Sequence, residues 1–330
     1  MTGNRGHLLA SEFDIIRSYF DRHSDSVKLG VGDDCALIDI GGGKDLVITT
    51  DTLVGGTHFL SAEDPFAIGF KSAAVNLSDL AAMGASPKYA LLAITLPSSD
   101  ESWIEGFSSG LYSLLNQYSV ILVGGDTTRG DVLSITLTAM GFVSSGVALR
   151  RDHATLDDDV WVSGSIGDGA VGLLVQEGTL KFSNEDEQDF LVQLRKPNPR
   201  VELGQKLVGI ANAAIDISDG LVADAGHVAD KSGVQIVIDF ERIPTHRALI
   251  SSKRELKIKN SILEGGDDYE LLFTATADLR DQIENISREL NLVLTRVGTV
   301  RSGSGVVVRD DGEELIFYSQ GGFDHFAKTK

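Results

Sequence analysis

Hydrophobic residues follow two alternating patterns along this chain of 330 residues. In some segments they recur at the spacing of one helix face, and in others they form short continuous or β-rich runs. The first pattern, with its caps and breakers, predicts helices over 12–22, 65–83, 101–117, 168–177, 200–212, 219–231 and 278–290. The second predicts strands over 46–50, 88–96, 120–123, 132–143, 159–163, 213–217, 234–239, 270–275, 292–299 and 305–309. Such alternation is typical of a mixed α/β protein.

A polar segment at 144–158 interrupts this alternation, and an acidic run, Asp157 to Asp159, closes it. The chain is also longer than a single hydrophobic core usually supports. We therefore predict two mixed α/β domains, at residues 1–148 and 149–330, with the C-terminal one an α/β sandwich.

The predicted helix at 65–83 is mostly apolar and small, yet three polar residues interrupt it. Ser72, Asn76 and Asp79 are spaced so that they share one face. A polar stripe usually faces solvent. The rest of this helix offers little other polarity, which favours an enclosed helix. A buried carboxylate without compensation is costly, and a bound cation would remove that cost.

The charge balance limits the possible ligands. The chain has 29 Lys and Arg against 48 Asp and Glu, a formal charge of −19. This argues against a surface for nucleic acid or for an anionic membrane, because both need clustered basic residues. A polyanionic ligand would need metal cations as intermediaries.

Cysteine usage and the lack of long apolar runs predict a cytoplasmic protein. Cys35 is the one cysteine, which excludes an internal disulfide framework and a cysteine-based zinc site. The N-terminus has no apolar signal core, and no apolar run has the length of a membrane span.

Six acidic patches lie beside glycine, serine or threonine. Small neighbours let backbone approach a ligand closely, and carboxylates and hydroxyls are the hard oxygen ligands that Mg²⁺ prefers. The patches lie at 32–34, 49–51, 78–79, 124–126, 216–219 and 265–268. Together they predict phosphate chemistry that works through metal ions.

Structural explanations compete with this prediction. Ser218 or Asp219 also fits the N-cap of the helix that follows. A lone histidine such as His58 is more often structural, and arginines in a linker, such as Arg150 and Arg151, are usually solvated. The common nucleotide-binding motifs do not explain the patches either: the chain has no phosphate loop, no complete dinucleotide fingerprint and no EF-hand spacing.

Seven motifs in register resemble the thiamine-monophosphate kinase family. They are Gly30-Val-Gly-Asp-Asp-Cys-Ala36, Thr49-Thr-Asp-Thr-Leu53 with His58-Phe59, Asn76-Leu-Ser-Asp-Leu-Ala-Ala-Met-Gly84, Gly124-Gly-Asp-Thr-Thr-Arg-Gly130, Ile215-Asp-Ile-Ser-Asp-Gly-Leu221, Gly265-Gly-Asp-Asp-Tyr-Glu-Leu271 and Gly322-Phe-Asp-His-Phe326. The resemblance runs from about residue 11 to 327.

The resemblance implies a fold, a reaction and a set of site residues. It implies a homodimer whose N-terminal domains form a shared β-barrel, and ATP-dependent phosphorylation of thiamine monophosphate to thiamine diphosphate in a cleft between the domains. Implied ligands of several Mg²⁺ ions are Asp34, Thr49, Thr50, Asp51, Asp79, Asp126, Asp216 and Asp219. Implied ATP contacts are Gly125, Asp126, Arg151 and Ser218. Implied contacts of thiamine monophosphate are His58, Asp267 and Phe323.

Two positions depart from the family pattern. Asp267 replaces a frequent glutamate, which keeps the charge but shortens the reach, and Phe323 replaces a frequent tryptophan or tyrosine. Two alternatives stay open: another ATP-dependent enzyme of the same superfamily, and a non-catalytic module that binds divalent cations or nucleotides.

Overall fold

The protein is described here from a computed structural model, which covers residues 12–22, 24–60 and 62–317. Its first sheet is built from the N-terminal half of the chain. The strands are β1 (Ala36–Asp39), β2 (Lys44–Val54), β3 (Ser86–Leu96), β4 (Ile121–Arg129) and β5 (Ser134–Ser144). They lie in the order β1-β2-β5-β3-β4, with β1 and β4 at the edges. All neighbours are antiparallel except β3 and β4.

Two long helices accompany this sheet, α2 (Pro65–Ala82) and α3 (Glu101–Gln117). Asp64 caps α2 by accepting a hydrogen bond from the Phe66 amide, and Pro65 occupies the first turn, where its missing N–H costs nothing. A short helix α1 (Glu12–Ile15) precedes them and continues as a π-helical turn, Ile16–Phe20.

The second sheet has seven strands in the order β12-β11-β8-β10-β6-β9-β7. They are β6 (Asp159–Ser163), β7 (Ala213–Ile217), β8 (Gln235–Asp239), β9 (Glu270–Ala275), β10 (Leu294–Arg301), β11 (Gly305–Asp310) and β12 (Glu313–Phe317). In the described part of this half there are six helices: α4 (Asp168–Gln176), α5 (Asn184–Arg195), α6 (Val201–Leu207), α7 (Leu221–Ser232), α8 (Leu256–Glu264) and α9 (Arg280–Leu290). Single 3₁₀ turns lie at Arg151–His153, Phe240–Arg242, Arg247–Leu249 and Ala277–Leu279.

Helix α2 is held between the two sheets. It contacts β2, β5 and α3 on the N-terminal side and β7, β9 and α6 on the C-terminal side. One hydrophobic core therefore includes Leu77 of α2 together with Trp161 and Phe273 of the second sheet. A second core lies under α7 and α8. Any polar residue on α2 is thus positioned by both halves of the chain.

The mixed α/β architecture confirms the prediction from the sequence, and α3, β6, β7 and β9 have the predicted bounds. Helices α5 and α8 and strands β1 and β12 are absent from the predicted set. Helix α5 buries only Phe190 and Leu194 among twelve residues, so its apolar periodicity is weak. The predicted helix at 200–212 ends early, at Leu207, and Gly209 follows in a left-handed conformation. Among the described helices, none is both long and apolar enough to cross a membrane.

Close packing of α2 against α3 generates a stability prediction. A Cβ placed on Gly110 of α3 would lie 1.9 Å from the Phe66 carbonyl oxygen, so the helices would have to separate. We expect Gly110→Ala to lower the free energy of unfolding by about 1–3 kcal/mol, despite the better helix propensity of alanine. Thermal unfolding measures this. Ser109→Ala, on the exposed face of the same helix, is the control, and equal melting temperatures for the two variants would contradict the prediction.

Candidate active site

A cavity of about 910 Å³ opens where α2 meets the C-terminal half of the chain. Its walls come from the end of β2, from one face of α2, from α4 and α8, and from the segments that follow β7 and precede β9. Polar residues in these walls include Asp51, His58, Lys71, Asp79, Asp216, Ser218, Asp219 and Asp267. Five of the six predicted acidic patches supply residues to the cavity or its immediate surroundings.

Three carboxylates meet at one end of the cavity. Asp34 precedes β1, Asp79 lies on α2 and Asp216 lies on β7, and each offers an oxygen within 4.8 Å of the other two. Asp34 and Asp216 are buried, with 8% and 2% of their surface exposed. Asp34 and Asp79 belong to the N-terminal half of the chain and Asp216 to the C-terminal half, so the cluster forms only when the two halves pack together.

Neighbouring hydroxyl and amide groups orient the carboxylates. The Thr49 hydroxyl donates to Asp79 over 2.5 Å, and the Ser78 hydroxyl donates to Asp216 over 2.6 Å. Asn76 accepts a hydrogen bond from the Asp51 amide over 3.2 Å, which ties β2 to α2. The polar stripe on α2 is therefore enclosed, as the sequence predicted: Ser72 and Asn76 are buried and Asp79 joins the cluster.

Burial and mutual repulsion make this cluster reluctant to ionise. Burial is the largest cause of the raised pKa of both Asp79 and Asp216, and the charge of Asp34 adds to it in each case. Burial and then Asp34 raise the pKa of Asp51 to about 6. Such a group of like charges is stabilised when a cation lies among them.

Arg151 compensates part of this charge. Its guanidinium donates to Asp34, and its backbone amide donates to Asp33 over 3.2 Å. Burial opposes the charge of Arg151, yet Asp34 and Asp33 outweigh burial and raise its pKa. Burial and the charge of Asp34 raise the pKa of Asp33 to about 7. One oxygen of Asp34, Oδ2, is buried without a hydrogen-bond partner.

The turn before α7 places two predicted residues at the cavity. Asp224 accepts hydrogen bonds from the backbone amides of Ser218, Asp219 and Gly220, each over 3.1 Å. The proposed capping role of Ser218 or Asp219 is therefore wrong: the N-cap residue is Gly220, and the capping carboxylate comes from inside the helix. Ser218 and Asp219 instead line the cavity.

The two carboxylates of the Gly-Gly-Asp-Asp patch at 265–268 have different surroundings. Asp268 is buried and accepts from the Gly167 amide over 2.7 Å and the Gly169 amide over 3.0 Å. Asp267 has a positive φ of 70° and faces the cavity. Its Oδ1 lies 2.8 Å from the Lys71 ammonium and accepts from the Tyr269 hydroxyl over 3.1 Å.

Other predicted residues lie apart from the cluster. His58 lines the cavity, and its Nδ1 accepts from the Val54 amide over 2.9 Å. Thr50 alternates to the opposite face of β2 from Thr49 and is paired with the Thr138 hydroxyl. Gly125 and Asp126 lie exposed on β4, three strands from β2 in the same sheet. Phe323 lies outside the described residues.

Several site residues escaped the sequence prediction. Lys71 is the one lysine of α2 and lies eight residues before Asp79, a spacing that puts both on one face. Asp33 and Ser78 belong to the predicted acidic patches at 32–34 and 78–79, and Tyr269 to the motif at 265–271, but none of the three was named as a site residue.

Comparison with known proteins places this cavity in a family context. Residues 32–143 match the family described as AIR synthase related protein, N-terminal domain, and residues 155–311 match the corresponding C-terminal domain. The thiamine-monophosphate kinase of Haemophilus influenzae is 42% identical over 331 residues, which cover 98% of this chain and 100% of that protein.

Two solved structures agree with this match. The crystal structure of thiamine-monophosphate kinase from Stenotrophomonas maltophilia K279a is 47% identical, with a TM-score of 0.79, and the match covers 89% of this chain and 93% of that one. The structure of AaThiL complexed with AMPPCP and TMP is 33% identical, with a TM-score of 0.82 and coverage of 96% and 97%. This chain therefore belongs to the thiamine-monophosphate kinase family of AIR synthase related proteins.

Proposed function

We propose that this protein transfers the γ-phosphoryl group of ATP to thiamine monophosphate, giving ADP and thiamine diphosphate. The observation that carries the proposal is the cluster of Asp34, Asp79 and Asp216 at one end of a cavity large enough for substrates. A relative with 33% identity was solved as a complex with AMPPCP and TMP, which supports the same pair of ligands here.

The donor set fits Mg²⁺. Its members are carboxylates and hydroxyls, the burial of Asp79 and Asp216 disfavours ionisation without a cation, and Asp34 has a buried oxygen without a hydrogen-bond partner. We propose that several Mg²⁺ ions are held by Asp34, Thr49, Thr50, Asp51, Asp79, Asp126, Asp216 and Asp219. When bound, these ions neutralise the phosphate charges that an acidic chain would otherwise repel.

The residues themselves bind and orient the two substrates. We propose that Gly125, Asp126, Arg151 and Ser218 contact ATP, and that His58, Asp267 and Phe323 contact thiamine monophosphate. Asp267 suits a cationic heterocycle because its carboxylate faces the cavity. Arg151 already binds Asp34, so a contact with ATP would be shared with that carboxylate.

The transfer needs alignment more than proton removal. An oxygen of the acceptor phosphate attacks the γ-phosphorus, and the bond from that phosphorus to the β,γ-bridging oxygen breaks, so ADP leaves. A phosphate monoester is largely ionised near neutral pH. We therefore assign no side chain as a general base.

A homodimer would complete this site. Strand β1 covers β2 only from Asp45 to Ile48, so the stretch Thr49–Val54 has no neighbouring strand on that side within the described chain. Strand β4 is the opposite edge, and its Ile121 and Val123 are each 53% exposed. An unpaired edge strand can pair with another chain, and exposed apolar residues mark surfaces where another chain binds.

We propose that β4 of one protomer pairs with Thr49–Val54 of the other, closing a β-barrel from two open sheets. Within one chain, Asp126 lies three strand spacings from β2, roughly 14 Å. Across the proposed interface, Asp126 of the partner subunit would adjoin Asp51. The open edges of β2 and β4 support the dimer, and the proposed pairing would bring Asp126 to the metal site.

The predicted domains at 1–148 and 149–330 and the cytoplasmic location stay part of this proposal. The division agrees with the two family matches, which end at 143 and resume at 155. Substrates then enter between the two halves.

The reaction itself is tested by ADP release in Mg²⁺ with thiamine monophosphate, thiamine and unrelated phosphorylated acceptors. We expect turnover with thiamine monophosphate and formation of thiamine diphosphate, detected by chromatography. Turnover only with another acceptor would refute the substrate, and no turnover with any acceptor would favour a binding module.

A substitution tests the metal ligands. We expect Asp51→Asn to lower kcat at least roughly 100-fold, because a neutral amide binds Mg²⁺ more weakly, and part of the loss to return as Mg²⁺ is raised. Asp39→Asn, an exposed aspartate paired with Lys28, is the matched control and should keep full activity. Near-normal kcat of Asp51→Asn at ordinary Mg²⁺ would refute the role.

Stability of the metal-free protein should fall as the pH rises. Raised pKa values stabilise the folded state at low pH, and this stabilisation is lost as the pH passes about 6 for Asp51 and about 7 for Asp33. We expect the melting temperature to drop between pH 5.5 and 8, and MgCl₂ to raise it more at pH 8 than KCl of equal ionic strength does. Equal effects of the two salts would contradict a Mg²⁺ site.

Complementation tests the shared site. Asp51→Asn and Asp126→Asn homodimers should both be nearly inactive. If Asp126 acts across the interface, a heterodimer of the two variants has one intact site, and an equal mixture recovers about a quarter of wild-type activity. If Asp126 acts within its own chain, every site carries one substitution and the mixture stays inactive.

A further inference from the structure

Lys71 is a buried cation that the proposed assignments do not use. Its side chain is 6% exposed and projects from α2 into the cavity wall. Its one ionic partner within the described chain is Asp267, whose oxygen lies 2.8 Å from the ammonium. An ammonium has three N–H donors, so this group can donate hydrogen bonds to further anionic groups in the cavity.

Among the described residues, Lys71 is one of few cations in a cavity whose charged residues are mainly acidic. The described residues that line the cavity include Asp51, Asp79, Asp216 and Asp219, and only two permanently cationic side chains, Lys71 and Arg195. Arg195 is occupied: it contacts Glu63 over 3.0 Å and donates twice to Gln176. Lys71 is also the more buried of the two, with 6% of its side chain exposed against 35% for Arg195, so its charge would act more strongly on a phosphate in the cavity.

Its position suits the phosphate of the acceptor. Lys71 and Asp79 lie on one face of α2, two turns apart. Lys71 also shares Oδ1 of Asp267 with the Tyr269 hydroxyl. The charges of Asp267, Asp51 and Asp216 all act on that hydroxyl, after burial, to raise its pKa. The Lys71 ammonium is thus held at Asp267, a proposed contact of the thiamine end, and lies on the same face of α2 as Asp79 of the cluster.

We propose that Lys71 binds a non-bridging oxygen of the acceptor phosphate, and so selects a phosphorylated acceptor over the free alcohol. This inference rests on the proposed function. The ammonium would contact both Asp267 and the phosphate. The acceptor would then place its cationic ring at the Asp267 carboxylate and its phosphate at Lys71. Lysine serves here as a compact point charge.

The rival explanation is that Lys71 only positions Asp267. The two roles predict different effects on the affinities for thiamine monophosphate and thiamine. A phosphate contact affects thiamine monophosphate but leaves thiamine, which has no phosphate, unaffected. A purely structural role, acting through Asp267, weakens both ligands because both carry the same cationic ring.

The test compares the affinities of thiamine monophosphate and thiamine for the full chain, with Mg²⁺ and AMPPCP present, by isothermal titration calorimetry. We expect Lys71→Met to raise the Kd of thiamine monophosphate about 10- to 100-fold and to change that of thiamine less than twofold. Lys71→Arg should restore part of the difference. Lys28→Met is the control, since Lys28 also pairs with a buried aspartate, Asp45, but outside the cavity.

An equal loss for both ligands would overturn the proposal, and so would unchanged affinity for both. If Lys71→Met does not fold, Lys71→Gln gives the same ratio of the two affinities, which is independent of the fraction of active protein. Turnover by the wild type distinguishes failure of this proposal from failure of the proposed function. If the wild type is active and the variant keeps the wild-type ratio of the two affinities, only the role of Lys71 is refuted.

Discussion

The structure depends on the enclosure of like charges. Asp34, Asp79 and Asp216 are brought within 4.8 Å of one another by the packing of two sheets around α2. Burial opposes the ionisation of Asp79 and Asp216, and no hydrophobic contact can offset an isolated buried carboxylate. The chain tolerates the arrangement because hydroxyls from Thr49 and Ser78 donate to two of the carboxylates and Arg151 pairs with the third. A site that is incomplete without cations is the simplest reason for retaining such an arrangement.

Helix α2 supplies charged residues to this site from a buried position. It is apolar enough to be buried between the sheets, yet it carries Asp79 to the aspartate cluster and Lys71 to the cavity wall, where Lys71 pairs with Asp267. Gly69 and Gly110 let α2 and α3 approach closely, since a Cβ at either position would overlap backbone of the other helix. The position of the charged groups is therefore set by helix packing and does not depend on a mobile loop.

The sequence predicted the α/β class, the enclosed polar face of α2 and most of the acidic residues around the cavity. These features follow from local periodicity and from residue type. It did not predict α5, whose stability comes from tertiary contacts of Phe190 and Leu194 and not from its own pattern. Nor did it predict that Asp224 would cap its own helix, since three amides converge on that carboxylate only through the turn at Gly220. Lys71 was missed because a single lysine in an apolar helix looks the same in sequence whether its ammonium reaches solvent or a buried aspartate.

The proposed dimer would account for the position of Asp126. Asp126 belongs to the family pattern, yet one chain leaves it on an exposed edge strand away from the cluster. An open edge on β4 and an uncovered stretch of β2 in the same sheet make a second copy the natural complement. Periodicity cannot predict such a relation, because in the proposed dimer it would join residues of different chains.

The most direct test of the central claim is anomalous diffraction from crystals grown with Mn²⁺ in place of Mg²⁺, together with AMPPCP and thiamine monophosphate. The account predicts Mn²⁺ peaks bonded to carboxylate oxygens of Asp34, Asp79 and Asp216, at roughly 2.0–2.3 Å. Nucleotide bound in the cavity with no Mn²⁺ peak at these carboxylates would contradict it.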